Sequence, residues 1–153
     1  MIADIPLPSR HGPFEQGLWA ALDRGELAHQ HCAACDSWHF PPRWRCHCGG
    51  ALEYRPVSGK AHLWSWTQVH PPVLPAFAPF APYVVGIAEL VEAPGLRMVG
   101  SLLIAADDPI NRVQPAQLRI GMPLAAVVRE IAPGLPWPAW QIIETEQPAG
   151  EAS

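Results

Sequence analysis

Cys32 and Cys35 form a C-x-x-C pair, and after ten intervening residues Cys46 and Cys48 form a C-x-C pair. All four cysteines fall within residues 31–50, HCAACDSWHFPPRWRCHCGG, together with His31, His39 and His47. Two close pairs at this separation allow two knuckles to converge on one tetrahedral ion, and four thiolates at about 2.3 Å suit zinc. A module of roughly 25 residues has almost no core, so metal binding would supply much of its folding energy. The second pair is one residue shorter than the C-x-x-C of a standard ribbon. His31, His39 or His47 are alternative ligands, and an empty site is a further alternative. C-x-x-C in a thioredoxin-like protein opens a helix after a strand; here it follows an expected strand over Leu27–His31 inside a ribbon, against a redox role. Iron in a rubredoxin-type site would colour the protein red. Four cysteine ligands leave no open position for water, so the ion is expected to be structural.

The rest of the chain offers no rival chemistry. It has no G-x-S-x-G elbow, no phosphate-cradling Gly-rich loop and no H-E-x-x-H. Asp107-Asp108 and Glu144-Thr145-Glu146 fall in an expected loop and tail and read as solvated, because general acid/base work needs a shaped, partly dry site. His62 and His70 flank a strand and read as surface or cap residues. No catalytic residue is therefore expected.

The elements that must position the cysteines follow from patterning. The chain has 153 residues, of which 49% are hydrophobic and 16% charged, against about 25% charged in ordinary soluble domains. A chain this apolar leaves surface for a partner or ligand. The net charge is -4 and Lys60 is the only lysine, so nucleic acid is a poor default partner. Residues 14–24 place Phe14, Leu18 and Ala21/Leu22 at helical spacing, with Gly25 as a stop. Residues 62–70 alternate, with Trp64 and Trp66 sharing one face if the strand is regular. The Pro-rich, uncharged stretch 70–82, with Val73, Leu74, Phe77 and Phe80, is expected to be a long irregular loop. It could line an acyl or sterol pocket, pack on a partner, or fold over its own barrel. Strands are expected over 83–92 and 96–104 around the turn Ala93-Pro94-Gly95, then a polar connection, then closing strands over 124–131 and 139–144. Leu96, Met98, Leu102 and Ile104 are expected on one face. Five strands in this order suit a Greek-key barrel of OB type, with a small sandwich as the competing architecture.

The ordered set of features resembles the acyl-CoA-associated family known as domain of unknown function thirty-five, from about Phe14 to Trp140. The matching pieces are Gly25-Glu26-Leu27, Gln30-His31-Cys32-Ala33-Ala34-Cys35, Phe40-Pro41-Pro42-Arg43, Cys46 with Cys48-Gly49-Gly50, and Val57-Ser58-Gly59-Lys60-Ala61. Trp64-Ser65-Trp66-Thr67, Pro82-Tyr83-Val84-Val85-Gly86 and Ile120-Gly121-Met122-Pro123 follow in order. The resemblance implies a mainly β fold: an arm and N-terminal helix (1–25), a rubredoxin-like zinc ribbon (26–55), a five-stranded OB-fold barrel (56–145) and a flexible tail (146–153). It implies structural Zn2+ on Cys32, Cys35, Cys46 and Cys48. It further implies a non-catalytic accessory subunit of a thiolase-like complex acting on acyl-CoA thioesters (thiolase, aldolase or acyltransferase), as a heterotetramer or larger heteromer. In such complexes acyl-CoA is the substrate and the small subunit stabilises its partner and shapes the channel. The alternatives are a stand-alone acyl-CoA-binding protein, or an OB-fold binder of single-stranded nucleic acid or nucleotides that uses Trp64 and Trp66, with Arg43, Arg45 and Arg55 on phosphate. No basic-then-apolar leader and no long apolar run are present, so a cytoplasmic protein is expected, with no membrane partner and with reduced thiols.

Overall fold

The structure, a computed structural model, describes residues 5–143; the acidic pair Glu144/Glu146 and the expected tail lie outside the described residues. Helix α1 spans Gln16–Leu22, shorter than the expected 14–24. At its far end Gly25 adopts φ +75° and its N–H meets the Leu22 carbonyl at 2.9 Å, a C-terminal stop that only glycine makes without strain. At its start Phe14 is drawn away to the ribbon. The Tyr54 hydroxyl donates to the Phe14 carbonyl (2.5 Å), and the Phe14 ring meets Trp44 edge-on at 5.9 Å. Trp19, Ala21 and Leu22 therefore carry the buried face, with Trp19 packed near Trp137.

Three short strands follow, β1 (Ala28–Cys32), β2 (Ser37–His39) and β3 (Glu53–Pro56), forming an antiparallel sheet in the order β2-β1-β3. The central strand β1 is buried at every residue, which puts His29, Gln30 and His31 inside.

Strands β4 (Lys60–Val69), β5 (Tyr83–Leu90), β6 (Arg97–Leu103), β7 (Pro123–Ala132) and β8 (Leu135–Ile142) close into a barrel in the order β4-β5-β6-β8-β7. All neighbours are antiparallel except β6 and β8, whose parallel contact seals the barrel at Leu102↔Trp140 and Leu103↔Gln141. The barrel is a mainly β, OB-type closure and not a sandwich. Alternation puts Val84, Ala88 and Leu90 of β5 and Met98 and Leu102 of β6 inside, with Leu63, Leu124 and Trp140. Among the described residues no helix is long and apolar enough to cross a membrane.

Five expectations are corrected. A β-bulge shifts the β4/β5 register between Leu63 and Ser65. The extra residue reverses the alternation, so Trp66 packs on the core opposite Gly86 while Trp64 stays outside beneath the Arg97 guanidinium, 3.8 Å from the ring centroid. The two tryptophans do not share a face. The stretch 70–82 is not wholly irregular, because Pro75–Phe80 form a 3-10 helix opened by Pro75. Proline supplies the fixed φ of a first helical turn and loses no needed donor there. Strand β8 begins at Leu135, four residues before the expected start, and contains Pro136 and Pro138. That half of β8 is paired with β7 alone, so its other edge needs no donors. Ile104 lies beyond β6 and is exposed, whereas Leu103 is buried. The connection 105–122 is less polar than expected in its packing, since Ile110 and Val113 are also buried.

Candidate functional site

The ribbon brings the four cysteine sulfurs together. Cys32 ends β1, Cys35 lies in the following turn, and Asp36 at φ +56° reverses the chain into β2. The four Sγ atoms all lie within 4.8 Å of one another, with Cys32–Cys48 at 3.6 Å and Cys35–Cys46 at 3.4 Å. Both separations are far beyond a disulfide bond, which is near 2.05 Å. They are close to the edge of a tetrahedron with bonds of about 2.3 Å, which is about 3.8 Å.

The shortened second knuckle still turns correctly. The Gly49 N–H reaches the Cys46 carbonyl at 2.9 Å, and the Cys46 N–H reaches the Gly50 carbonyl at 3.2 Å. Gly49, at φ +84°, closes the turn, and the Gly50 N–H points at Cys48 Sγ, 3.4 Å away. A Cβ on Gly50 would stand 2.7 Å from Cys32 Sγ and 3.2 Å from Cys48 Sγ, inside the sulfur cluster. The chain leading to Cys46 is held by Gln30, whose side chain imitates a backbone ladder. It donates to the Arg43 carbonyl (3.0 Å) and accepts from the Arg43 N–H (2.8 Å).

The three histidines separate. His31 Nε2 pairs with Asp36 at 2.8 Å and faces away from the sulfurs. His39 Nε2 and His47 Nδ1 approach Cys46 Sγ at 3.2 and 3.6 Å, and Ser37 Oγ stands 3.0 Å from Cys35 Sγ and 3.3 Å from Cys46 Sγ. Burial opposes ionisation of Cys46, but the hydrogen bonds of Ser37, the Cys48 backbone and the neighbouring thiols outweigh it and bring Cys46 down to about 5. At Cys48 the Gly50 N–H favours the thiolate, yet the surrounding sulfurs of Cys35, Cys46 and Cys32 push it up to about 12. One thiolate thus opposes the next, which is the electrostatic situation a divalent cation resolves by displacing the protons.

His29 of β1 is 1% exposed, with its Nε2 unpaired and its ring edge-on to Phe40 at 5.3 Å. Desolvation lowers it to about 4, against the weaker upward pull of Glu92. The folded value lies below the unfolded one, so the unfolded chain takes up the proton first. Stability is full above about pH 6.5 and drains as pH falls toward about 4, by about 2 kcal/mol between pH 7 and 5. Urea titrations at those two pH values are expected to show this loss in the parent and to lack that part of it in His29→Leu. Equal losses in both proteins would refute the assignment.

A second concavity lies on the outer face of the barrel. A cavity of about 400 Å3 is lined by Phe77 and Phe80 of the 3-10 helix, Tyr83 and Val85 of β5, Val99 and Ser101 of β6, and Arg129, Trp137 and Ala139 of β7 and β8. Phe77 and Phe80 pack on Leu103, Ile110 and Ala139, so the 70–82 stretch folds over its own barrel and walls this cavity at once. Sequence reasoning singled out Phe77 and Phe80 but missed Ser101 and Arg129. It also missed the Gln30 clamp and the role of Gly50 under the sulfurs. His62 and His70 are exposed, as expected; Asp107 is exposed at the cavity rim, and Asp108 caps the Ala105 N–H at 3.0 Å.

Comparison with known proteins matches both halves. The family described as ChsH2, rubredoxin-like zinc ribbon domain, matches residues 19–53, and ChsH2, C-terminal OB-fold domain, matches residues 54–129. A Thermomonospora curvata protein named probable enoyl-CoA hydratase alpha subunit is 34% identical over 131 residues, which is 83% of this chain and 37% of that protein. The chain thus spans little more than a third of that relative's length. A solved structure described as the Ltp2-ChsH2(DUF35) aldolase has a chain that matches with a TM-score of 0.73 at 28% identity, covering 88% of this chain and 98% of that one. With a zinc-ribbon match running directly into an OB-fold match, and the same two modules in the structure, the chain belongs to the ChsH2 family of proteins that join a rubredoxin-like zinc ribbon to a C-terminal OB-fold domain.

Proposed function

We propose that this chain is a non-catalytic accessory subunit of an enzyme complex acting on acyl-CoA thioesters, seated on a thiolase-like partner that supplies the reacting groups. The observation that carries this reading is the likeness, over 88% of the chain, to the ChsH2 chain of an aldolase described by two components. The hydratase subunit among its relatives points to the same class of thioester. The chemistry of the chain agrees. Cys32, Cys35, Cys46 and Cys48 are the proposed ligands of one structural Zn2+, a set that fills four positions and leaves none for substrate. Around the barrel and ribbon Trp44 (72% exposed), Leu74 (56%) and Val99 (62%) present apolar surface of the kind partners cover. A cytosolic setting that keeps the thiols reduced belongs to this reading. The nucleic-acid alternative loses its stacking platform, because the bulge in β4 puts Trp64 and Trp66 on opposite faces.

Co-expression with a thiolase-like protein tests the proposal. The expected result is a defined heterotetramer or larger heteromer by light scattering, with thioester turnover only in the assembly. Turnover of an acyl-CoA by the isolated chain, abolished by substitution of its own side chains, would overturn it.

A further inference from the structure

The sulfur cluster carries a second group of donors on the Cys46 side. Ser37 and His39 are two residues apart on β2, so their side chains leave the same face of the strand. That face meets Cys46. Ser37 Oγ lies 3.0 Å from His39 Nε2 and 3.3 Å from Cys46 Sγ, and His39 Nε2 lies 3.2 Å from the same sulfur. His47 brings Nδ1 to 3.6 Å from Cys46 Sγ. Because the second knuckle is C-x-C, His47 sits between two cysteine ligands, which fix its backbone on both sides. The two imidazole planes stand at 67° with centroids 5.9 Å apart, so neither ring lies flat on the other. His39 Nε2, His47 Nδ1 and Cys46 Sγ all fall within 4.8 Å of one another. Bonds of about 2.0 Å to nitrogen and about 2.3 Å to sulfur give a tetrahedral N···S edge of about 3.5 Å. The two observed N···S separations bracket that value.

Charge favours a cation at this place. Four thiolates around one divalent ion leave a net double negative charge. Cys32 and Cys46 are buried, so part of that charge is desolvated and costly. The nearby Arg45 does not relieve it, because its Nη1 donates to the Gly49 carbonyl at 3.2 Å. A second divalent ion on Cys46 would cancel the charge, and a thiolate bound to one ion keeps lone pairs for another. Neutral imidazoles can complete the set: His39 through Nε2 with its proton on Nδ1, His47 through Nδ1 with its proton on Nε2. His39 and Cys46 are buried and His47 is exposed, so the place is walled on one side and open to solvent on the other.

We propose that His39, His47 and the shared thiolate of Cys46 form a second metal site, taking a Zn2+ ion beside the one held by the four cysteines. The Ser37 hydroxyl or a water fills the remaining position. The proposal takes the four cysteines as the ligands of the first ion and otherwise stands apart from the accessory-subunit reading. One ligand is shared and one position is open, so the second ion is weaker and exchangeable. The chain keeps one zinc through purification and takes the second when free Zn2+ is raised.

The test is equilibrium dialysis of the full-length, zinc-loaded chain against about 10 μM free Zn2+, with metal and protein both measured. Two zinc per chain are expected, returning to one after gel filtration into metal-free buffer. Cobalt gives an independent signature. Co2+ added to the zinc-loaded chain should produce the visible absorption of a tetrahedral site with nitrogen and sulfur ligands. With Co2+ at both positions, coupling through the shared thiolate should reduce the electron paramagnetic resonance intensity per ion. His47→Ala and His39→Phe are each expected to keep the first zinc and to weaken the second about a hundredfold. Phe keeps a ring at the buried position; if that variant fails to fold, His47→Ala, at an exposed residue, carries the result. Absence of a second equivalent in the parent would overturn the proposal, as would a second equivalent that neither variant weakens. Loss of the first zinc from a folded histidine variant would also overturn it, because that histidine would then be a ligand of a single ion. No partner enters these measurements, so the accessory-subunit reading survives their failure.

Discussion

Cys35→Ser is expected to abolish stoichiometric zinc and with it the ordered ribbon. Structural zinc in small cysteine modules supplies roughly 10 kcal/mol or more at neutral pH, and the whole stability of a domain is roughly 5–15 kcal/mol. The three strands of the ribbon sheet are short, and β2 has three residues. Such a sheet cannot replace an ion with hydrophobic burial. Metal analysis should give one zinc per parent chain and close to none for Cys35→Ser, and near-ultraviolet dichroism should lose the contributions of Trp38 and Trp44 in the ribbon. Iron, if it were the ion, would show as visible absorbance. A variant that keeps full metal and an unchanged unfolding curve would remove the metal assignment.

Gly50→Ala is the finer version of the same experiment. Its ligands remain, but the new methyl would sit 2.7 Å from Cys32 Sγ. Zinc should then be lost to a chelator at a concentration at least about tenfold lower than for the parent, since a misplaced ligand set weakens the site without deleting it. The two variants separate the thiolates from the space they need.

Much of this site was legible in the sequence because it is local. Cys32 and Cys35 are three residues apart, and Cys46 and Cys48 two, so each pair must be close whatever the fold, and one turn at Asp36 brings the chain back. The barrel was legible for a related reason: period-two burial in Tyr83–Leu90 leaves a written trace along a strand. The parts that were not legible depend on what lies across space. Nothing within residues 60–69 marks Trp64 as the bulged residue, because Ser65 and Trp66 suit either face; the register of β5 decides. Pro136 and Pro138 speak against a strand until β8 is known to be paired on one side there. Gln30 reads as a polar residue of a strand, yet its partner is the backbone of Arg43, thirteen positions on. The cavity is walled by elements far apart in sequence, Phe77 and Phe80 against Val99 and Trp137, and none of them carries a sign of the others.

The short β6/β8 pairing makes the seam at Trp140 a weak point with a large expected effect. Trp140 is 1% exposed and is the largest side chain that is fully buried, and it stands opposite Leu102 where β6 and β8 close the barrel. Trp140→Ala is expected to cost about 4 kcal/mol, the usual range for deleting a buried tryptophan, which is enough to unfold a marginal barrel. Gly100 lies under the indole: a Cβ there would be 2.8 Å from Trp140 Cδ1 and 3.0 Å from Nε1. The ring is rigid and enclosed, so Gly100→Ala should cost about 2 kcal/mol through overpacking. In a Trp140→Phe background the smaller ring frees that space, and the same glycine change should cost about 1 kcal/mol less. Urea unfolding of the four proteins measures the coupling. Strict additivity would mean that Gly100 is needed for its own backbone and not for the ring above it, and the seam would then be held by the ladder alone.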